Sequence, residues 1–472
     1  MADRDPEGLV RRLRDVVGPA GVVTDPGAQA SYTRDWLGKW QGRVPVVVRP
    51  GNTQETAAVV RLCREAHTPI VPQGGNTGMS GGATPDASGA QVIVSTTRLQ
   101  QVRAVDPVNN TMTVEAGVVL AQAQDAARGA GRFFPLSLGA EGSCTVGGNL
   151  ATNAGGIAVL RYGNMRDLVL GLEVVLPDGR IWNGLRGLRK DNTGYDLRGL
   201  FVGSEGTLGI ITAAVLKLFP QAAARATAWV GAASLEALLA LLQQARARCG
   251  ERLVAFEMMT DAALQLVLRH VADTRAPVAG APPFHALVEL ADTEPSGLAD
   301  ALEQVLAGAM DAGLVGEAVI AASQSQAQAL WKLREGISQA QVRAGPVVKH
   351  DIALPITVLP AFCGEAQAAV ARTGLDTQVI NFGHLGDGNL HYNVLLPAGL
   401  PPDAVKDATA RLNRAVHDLV VRHTGSISAE HGVGQLRRDE LRHYKSPVEM
   451  DLMLAIKRAL DPNLIMNPGK LL

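Results

Sequence analysis

The sequence predicts an α+β protein of two or three domains, in which a glycine-rich α/β region precedes a region of long helices and antiparallel strands. Three observations carry this reading. The chain has 472 residues and a mass of 49.5 kDa, more than one hydrophobic core usually holds. Ahead of Pro220, short β-branched runs alternate with amphipathic stretches and glycine turns. Beyond Pro220, helical stretches such as SLEALLALLQQARA and GLADALEQVLAGAMDAG alternate with apolar strands at 253–258, 284–291 and 347–356, a pattern suited to helices packed on one face of an antiparallel sheet. The expected domains are residues 1–220 in two parts, residues 221–425, and a C-terminal helical segment over 426–472.

The elements follow in order. Residues 7–17 have the spacing of a short amphipathic helix, and VPVVVRP at 44–50 is a buried strand closed by Pro50. Thr53, with Glu55 and Thr56 close behind, begins a helix carrying Val59, Val60 and Leu62 that Pro69 stops. A strand then enters the glycine segment IVPQGGNTGMSGG. The strands QVIVSTT and TMTVEAGV, the helix VLAQAQDAARGA and a second glycine segment at 139–156 come next. Residues 168–182 form a hairpin across Pro177-Asp178-Gly179, a turn set by the fixed angle of proline and the freedom of glycine. PDAVKDATARLNRAVHDLVVRHTG, from residue 402, is a strong helix closed near Gly425, and VEMDLMLAIKRALDPN is the last.

Forty-four basic against forty-five acidic residues give a formal charge of -1 without a basic block, which removes the electrostatic reason to expect a nucleic-acid partner. Cys63, Cys144, Cys249 and Cys363 lie far apart and form no CxxC pair, so neither a disulfide framework nor a thiolate zinc site is expected. The opening MADRDPEGLVRRLRDVVG mixes acids with bases and has no apolar run of signal or membrane-spanning length. A cytoplasmic protein is the expectation, with peripheral membrane attachment left open.

Two segments point to a phosphorylated cofactor. PQGGNTGMSGG at 72–82 follows a strand directly, and GAEGSCTVGGNLATNAGG at 139–156 repeats its composition. Glycines let the backbone approach a ligand closely, and successive amides form an anion-binding concavity. Neither the GxGxxG spacing of a dinucleotide loop nor a GxxxxGK[ST] phosphate loop is present, so the residues alone do not choose the cofactor. A third segment, NFGHLGDGNLHYNV at 381–394, reads as two strands around a Gly-Asp-Gly turn, with His384 and His391 converging near one end. Two metal ligands, a base with its partner, and two polar residues closing a turn all remain open.

Taken with RYGNMRDLVLGLEVVLPDG, TGYDLRGLFVGSEGTLGIITAAVLKL, AEHGVG and DPNLIMNPGK, these segments, in this order and over almost the whole chain, resemble the FAD-dependent D-2-hydroxyacid dehydrogenases of the vanillyl-alcohol-oxidase flavoprotein family. The strongest likeness is to the D-2-hydroxyglutarate dehydrogenases, with D-lactate and glycolate dehydrogenases nearby. The resemblance implies a two-part α/β FAD-binding domain, a cap domain that binds substrate, and a C-terminal segment returning to the flavin region. Pro72, Gly74, Gly75, Asn76, Thr77 and Gly78 would cradle the pyrophosphate. Gly142, Thr145, Gly148, Asn149 and Thr152 would line the rest of the cofactor, with Gly206, Ile211, Asn467 and Lys470 closing the site. Neither glycine segment has a histidine and Cys144 is a poor attachment point, so the FAD is expected to be non-covalent.

The same resemblance makes His384, His391 and Glu430 ligands of a divalent metal, zinc or another that accepts nitrogen and oxygen, and His431 the catalytic base. Glu430 and His431 are neighbours, so in extended backbone they point apart. Arg334 and Ser338, four apart on one helix face, and Lys349 match a site for the far carboxylate of a dicarboxylic acid. Relatives commonly carry threonine where this chain has Ser338, which keeps the donor and loses a methyl contact. Asn393 would assist at the carboxylate beside C2. The implied reaction is oxidation of a D-2-hydroxydicarboxylic acid, D-2-hydroxyglutarate foremost, to the 2-oxo acid. D-lactate or glycolate oxidation is the alternative, and a non-redox flavoprotein or binding module is a third reading. Expected partners are the hydroxy acid, an electron-transfer flavoprotein or a quinone as acceptor, and a second copy in a homodimer.

Overall fold

A computed structural model describes residues 6–472, so the acidic start at Asp3 and Asp5 lies outside the described residues. The chain divides into two units. One comprises the residues up to Gly156, Tyr162–Gln221 and Glu430–Leu472; the other comprises Ile157–Arg161 and Ala222–Ala429. The expected breaks after 220 and 425 compare with 221 and 429, and the assignment of residues 157–161 to the second unit has no signal in the sequence.

Two sheets form the body of the first unit, beside a short pairing of Arg132–Phe133 with Phe219–Pro220. The smaller runs Val22–Val23, Val47–Val48, Val92–Ser95, Ile70–Gln73, and its last two pairings are parallel. Parallel pairing needs a crossover. Helix Thr53–Glu65 supplies it, capped by the Asn52 side chain, which accepts from the Glu55 amide at 2.8 Å, one residue ahead of the expected start. Val59, Val60 and Cys63 of that helix pack with Leu9, Leu13 and Val17 of helix Pro6–Val17 over Val48, Val92 and Val94. The larger sheet is antiparallel, in the order Val102–Asp106, Thr111–Glu115, Ile210–Lys217, Val169–Val175, Ile181–Gly184. Its last hairpin turns at Gly179, whose φ of 82° requires glycine.

The end of the chain returns to this unit. Ile465 accepts from the Ile70 amide and Ile70 from the Asn467 amide, both at 2.7 Å, so the final peptide lies along the strand that feeds the first glycine segment. Lys457 fastens it: its ammonium donates to Asp461 Oδ2 at 2.6 Å, Thr207 O at 2.7 Å and Met466 O at 2.8 Å.

The second unit is built on an antiparallel sheet of eight strands, among them Ala224–Ala232, Phe284–Asp292, Leu253–Thr260, Gln378–His384 and Asn389–Leu395 as consecutive neighbours. Alternation along the strands gives two buried faces rather than the single helix-covered face the sequence suggests. Ala228, Val230, Phe256, Met258 and Val288 point to the helices Leu235–Cys249, Leu298–Asp311, Leu359–Arg372 and Pro402–Arg422. Trp229, Met259, Leu287, Ile380 and Phe382 point the other way, onto helices Asp261–His270 and Gln324–Ala344. The expectation fails because these strands are apolar at nearly every position, as strands covered on both sides are. Leu330, Leu333 and Ile337 bury helix Gln324–Ala344 on this second face, each contributing about 1.5–3 kcal/mol. Among the described residues no helix is long and apolar enough to cross a membrane.

Candidate active site

The two glycine segments of the first unit meet. A Cβ on Gly74 would stand 2.4 Å from Thr145 Oγ1, and one on Gly75 would stand 2.1 Å from Ser143 O, so both positions demand glycine for the approach of one segment to the other. Between them lies a cleft lined by both segments. Pro72, Gly74, Gly75, Asn76, Thr77, Gly78, Thr145, Gly148, Asn149, Thr152, Gly206 and Ile211 all line it. Gly142 does not; it is exposed in the turn in which the Ser143 and Cys144 amides donate to Ala140 O. Asn467 also stands outside the lining, but its amide donates to Gly82 O at 2.9 Å and Glu205 O at 2.8 Å, tying two lining segments together. Lys470 is buried, and burial draws its ammonium down to about 8. Cys144 also lines the cleft as a free thiol that burial pushes up, which leaves it protonated.

His431 lines the same cleft. Its carbonyl accepts from Ser80 Oγ at 3.0 Å, and the residues after it are held by Glu205, whose two carboxylate oxygens each accept an amide at 2.7 Å, from Val433 and Gly434. Burial pushes the Glu205 carboxyl up against the pull of those amides. Glu205 itself has φ of 51°, an angle costly for a side chain with a Cβ.

In the second unit the register of four strands explains the histidine pair. His384 pairs with Asn389 across the hairpin and Phe382 with His391, so the two histidines are diagonal neighbours on one face with ring centroids 5.6 Å apart. The turn between them depends on Gly388, at φ 82°, where a Cβ would strike Leu354 O at 2.1 Å; Gly386 keeps an ordinary φ. On the outer strands, Glu257 stands opposite His384 and Asp351 opposite His391. Each imidazole is thus backed by a buried carboxylate: His384 Nδ1 lies 2.7 Å from Glu257 Oε1, and His391 Nδ1 lies 3.7 Å from Asp351 Oδ1. Burial alone would raise Glu257, but His384 and Arg334 together hold it below the usual range.

Glu430 follows Ala429 directly, and the Ala429 amide donates to Asp351 O at 3.1 Å. One ligand atom from each of His384, His391 and Glu430 lies within 4.8 Å of the others. Two imidazoles and a carboxylate suit a divalent cation, and the Glu257 carboxylate behind His384 fixes the ring nitrogen that faces it.

Arg334 and Ser338 share helix Gln324–Ala344, but Arg334 is buried and Ser338 exposed. The Arg334 guanidinium lies 4.9 Å above the Phe382 ring and binds Glu257 Oε2 through Nε and one terminal nitrogen, both at 2.8 Å. Lys349 is half-buried between strands Val347–Val348 and Asp351–Ala353. Asn393 accepts from the His350 amide at 3.1 Å and donates to Gln341 at 2.9 Å, so its side chain also braces the sheet. Sequence reasoning missed Glu205, Glu257 and Asp351. The signal for Glu257 was present: a lone acid in the apolar strand VAFEMM has to be paired once buried.

Residues 44–184 match the family described as FAD binding domain, and residues 221–471 match FAD linked oxidases, C-terminal domain. The mitochondrial D-2-hydroxyglutarate dehydrogenase of Bos taurus is 41% identical over 456 residues, 97% of this chain and 82% of the relative. The D-2-hydroxyglutarate dehydrogenase of Stutzerimonas stutzeri is 37% identical over 98% of each chain. The chain belongs to the FAD-dependent D-2-hydroxyacid dehydrogenases of the vanillyl-alcohol-oxidase flavoprotein family. Solved structures of p-cresol methylhydroxylase (19% identity, TM-score 0.77, covering 98% of this chain and 96% of that one) and alkyldihydroxyacetonephosphate synthase (18%, 0.74, 98% and 84%) share the fold. As a member of this family the chain is an FAD-binding oxidoreductase.

The cytoplasmic expectation is corrected by the relatives, since those from Bos taurus, Oryza sativa, Arabidopsis thaliana, Danio rerio and Rattus norvegicus are mitochondrial. Balanced charge and the lack of an apolar segment bear on partition into a membrane; they carry no information about compartment.

Proposed function

We propose that this flavoenzyme oxidises a D-2-hydroxydicarboxylic acid, D-2-hydroxyglutarate foremost, to the 2-oxo acid. The observation that carries the proposal is that His384, His391 and Glu430 each bring a ligand atom within 4.8 Å of the others, while Arg334 of helix Gln324–Ala344 shares the Glu257 carboxylate with His384. Non-covalent FAD supplies a hydride acceptor at N5, and a divalent cation, zinc by its ligand preference, supplies a Lewis acid for the C2 oxygen and adjacent carboxylate. His384 and His391 each present one nitrogen, with the other turned to a carboxylate, and Glu430 adds a charged oxygen. His431 takes the C2 hydroxyl proton, its backbone fixed by Ser80 and by the Glu205 clamp that follows it. Asn393 steadies the carboxylate beside C2. Arg334, Ser338 and Lys349 hold the distal carboxylate as a fork, a neutral donor and a point charge. An electron-transfer flavoprotein or a quinone takes the electrons onward.

One observation favours the monocarboxylate reading, D-lactate or glycolate. Two of the three Arg334 nitrogens are committed to Glu257, which leaves less of the guanidinium for a distal carboxylate. Anaerobic titration with a panel of pure D- and L-hydroxy acids, followed by flavin bleaching, decides between them. Reduction by D-2-hydroxydicarboxylates ahead of D-lactate is expected; rapid reduction by D-lactate alone sinks the dicarboxylate assignment, and a flavin that no hydroxy acid reduces sinks the reaction class.

A further inference from the structure

We propose that Glu257 is a positioning residue shared by the metal site and the substrate arginine, so that Arg334 supports metal retention as well as the far carboxylate. This rests on the reading of His384, His391 and Glu430 as metal ligands. An imidazole gives a metal only its unprotonated nitrogen, so what holds the other nitrogen decides which one is offered. Glu257 is 1% exposed and stands opposite His384 in the register of adjacent strands. With the His384 proton on Nδ1, that N–H donates to Oε1 at 2.7 Å and Nε2 is left for the ligand position.

The second oxygen of the same carboxylate is taken by Arg334, through Nε and one terminal nitrogen, both at 2.8 Å. Arg334 is in turn fixed by burial in helix Gln324–Ala344 and by the Phe382 ring beneath it at 4.9 Å. The carboxylate plane is therefore set from both ends. Remove the guanidinium and Oε2 becomes a buried acceptor without its donors; the carboxylate turns to recover a partner and His384 loses its alignment. The other histidine has a looser backing, because 3.7 Å from His391 Nδ1 to Asp351 exceeds a hydrogen bond.

A consequence follows for specificity. Arg334 substitutions lower turnover of mono- and dicarboxylates together, through the metal, so recognition of the far carboxylate has to be probed at Lys349, which lies between strands Val347–Val348 and Asp351–Ala353 rather than on the helix of Arg334.

The test is zinc affinity by chelator competition on the full-length flavoprotein, for wild type, Glu257→Gln, Arg334→Gln and Lys349→Met, with flavin content and circular dichroism as folding checks. An amide cannot accept on both sides, so Glu257→Gln breaks one contact or the other. Its zinc affinity should fall roughly 10- to 100-fold, the usual loss when the group behind a ligating histidine is removed. Arg334→Gln should lose about tenfold and Lys349→Met less than threefold, with flavin content unchanged. Arg334→Gln carries the test if Glu257→Gln does not fold, and the visible spectrum of the Co2+-loaded proteins gives a second readout, expected to change in both variants. Wild-type zinc affinity and an unchanged Co2+ spectrum in folded Arg334→Gln overturn the inference while leaving the metal site intact. A wild-type protein that binds no zinc overturns the metal reading and the inference with it.

Discussion

Alanine at position 78 separates a glycine needed by the fold from one needed by the ligand. A Cβ built on Gly78 meets nothing within 4 Å, and the residue is not among those with positive φ. Gly78→Ala should therefore fold without strain and gain about 0.4–1 kcal/mol, because alanine restricts the unfolded chain. Yet Gly78 lines the cofactor cleft. If the pyrophosphate lies against this peptide, the added methyl overlaps it, and an overpacked contact costs about 1–3 kcal/mol. At about 1.4 kcal/mol per factor of ten, FAD affinity falls roughly 5- to 150-fold. Gly75→Ala is the contrast: its Cβ would lie 2.1 Å from Ser143 O, a backbone atom that cannot swing aside, so stability and FAD binding fall together. The assay is titration of apoprotein with FAD by flavin fluorescence quenching, beside thermal unfolding of the apoprotein. FAD binding within twofold of wild type by Gly78→Ala, with its melting temperature no lower than wild type, would refute the placement of the pyrophosphate at this segment.

Elemental analysis beside flavin absorbance should show metal lost from His384→Ala, His391→Ala and Glu430→Ala with flavin retained, while His431→Ala keeps both and reduces its flavin slowly. Equal metal loss in all four variants removes the distinction between Glu430 as ligand and His431 as base. Glu205→Ala deletes the acceptor of two buried amides and should slow flavin reduction at saturating substrate about 10- to 100-fold, in line with the loss from misplacing a reacting group; an unchanged reduction rate with normal flavin content counts against the clamp. Buried Glu173 accepts from Thr53 at 2.6 Å, Thr212 at 3.0 Å and Arg103 at 3.1 Å; burial raises its pKa, but these donors win and hold it below the ordinary value of 4.5. Because the folded pKa is the lower one, its stabilisation is present above pH 4.5 and fades as pH falls through the folded value. Urea unfolding should accordingly show Glu173→Gln costing about 1–3 kcal/mol at pH 7 and less at pH 4; an equal cost at both is the contrary result.

The fold was legible where local chemistry decides it. The Pro-Asp-Gly hairpin, the helix from Thr53 and the glycine segments are each set by a few adjacent residues, and all appear in place. The two-faced cap sheet was misjudged because Leu253–Thr260 and Phe284–Asp292 are apolar on both sides, so alternation gives no orientation and only the packing of Trp229, Leu287 and Met259 on a second helix layer reveals it. Residues 157–161 joined the cap by tertiary contact alone: Arg161 donates to Ala291 O at 2.8 Å, 130 residues away.

The site was legible in a different way. His384 and His391 lie within one hairpin, so strand periodicity brings them together; Glu430 lies almost forty residues on, and only resemblance to the family placed it with them. What neither route gave is the row of acids behind the histidines. Glu257, His384, His391 and Asp351 are spread over 135 positions in sequence, yet they fall side by side because four strands share one register and the side-chain period of a strand is two. A one-residue slip between Leu253–Thr260 and Gln378–His384 would send Glu257 to the opposite face and leave His384 and Arg334 without their common partner. The apolar neighbours Phe256, Met258 and Met259 fix that register by filling two separate cores. The hydrophobic pattern of one strand thereby sets the chemistry of the next, which is why the acid behind the metal ligand can be read from the folded sheet and not from the strand that carries it.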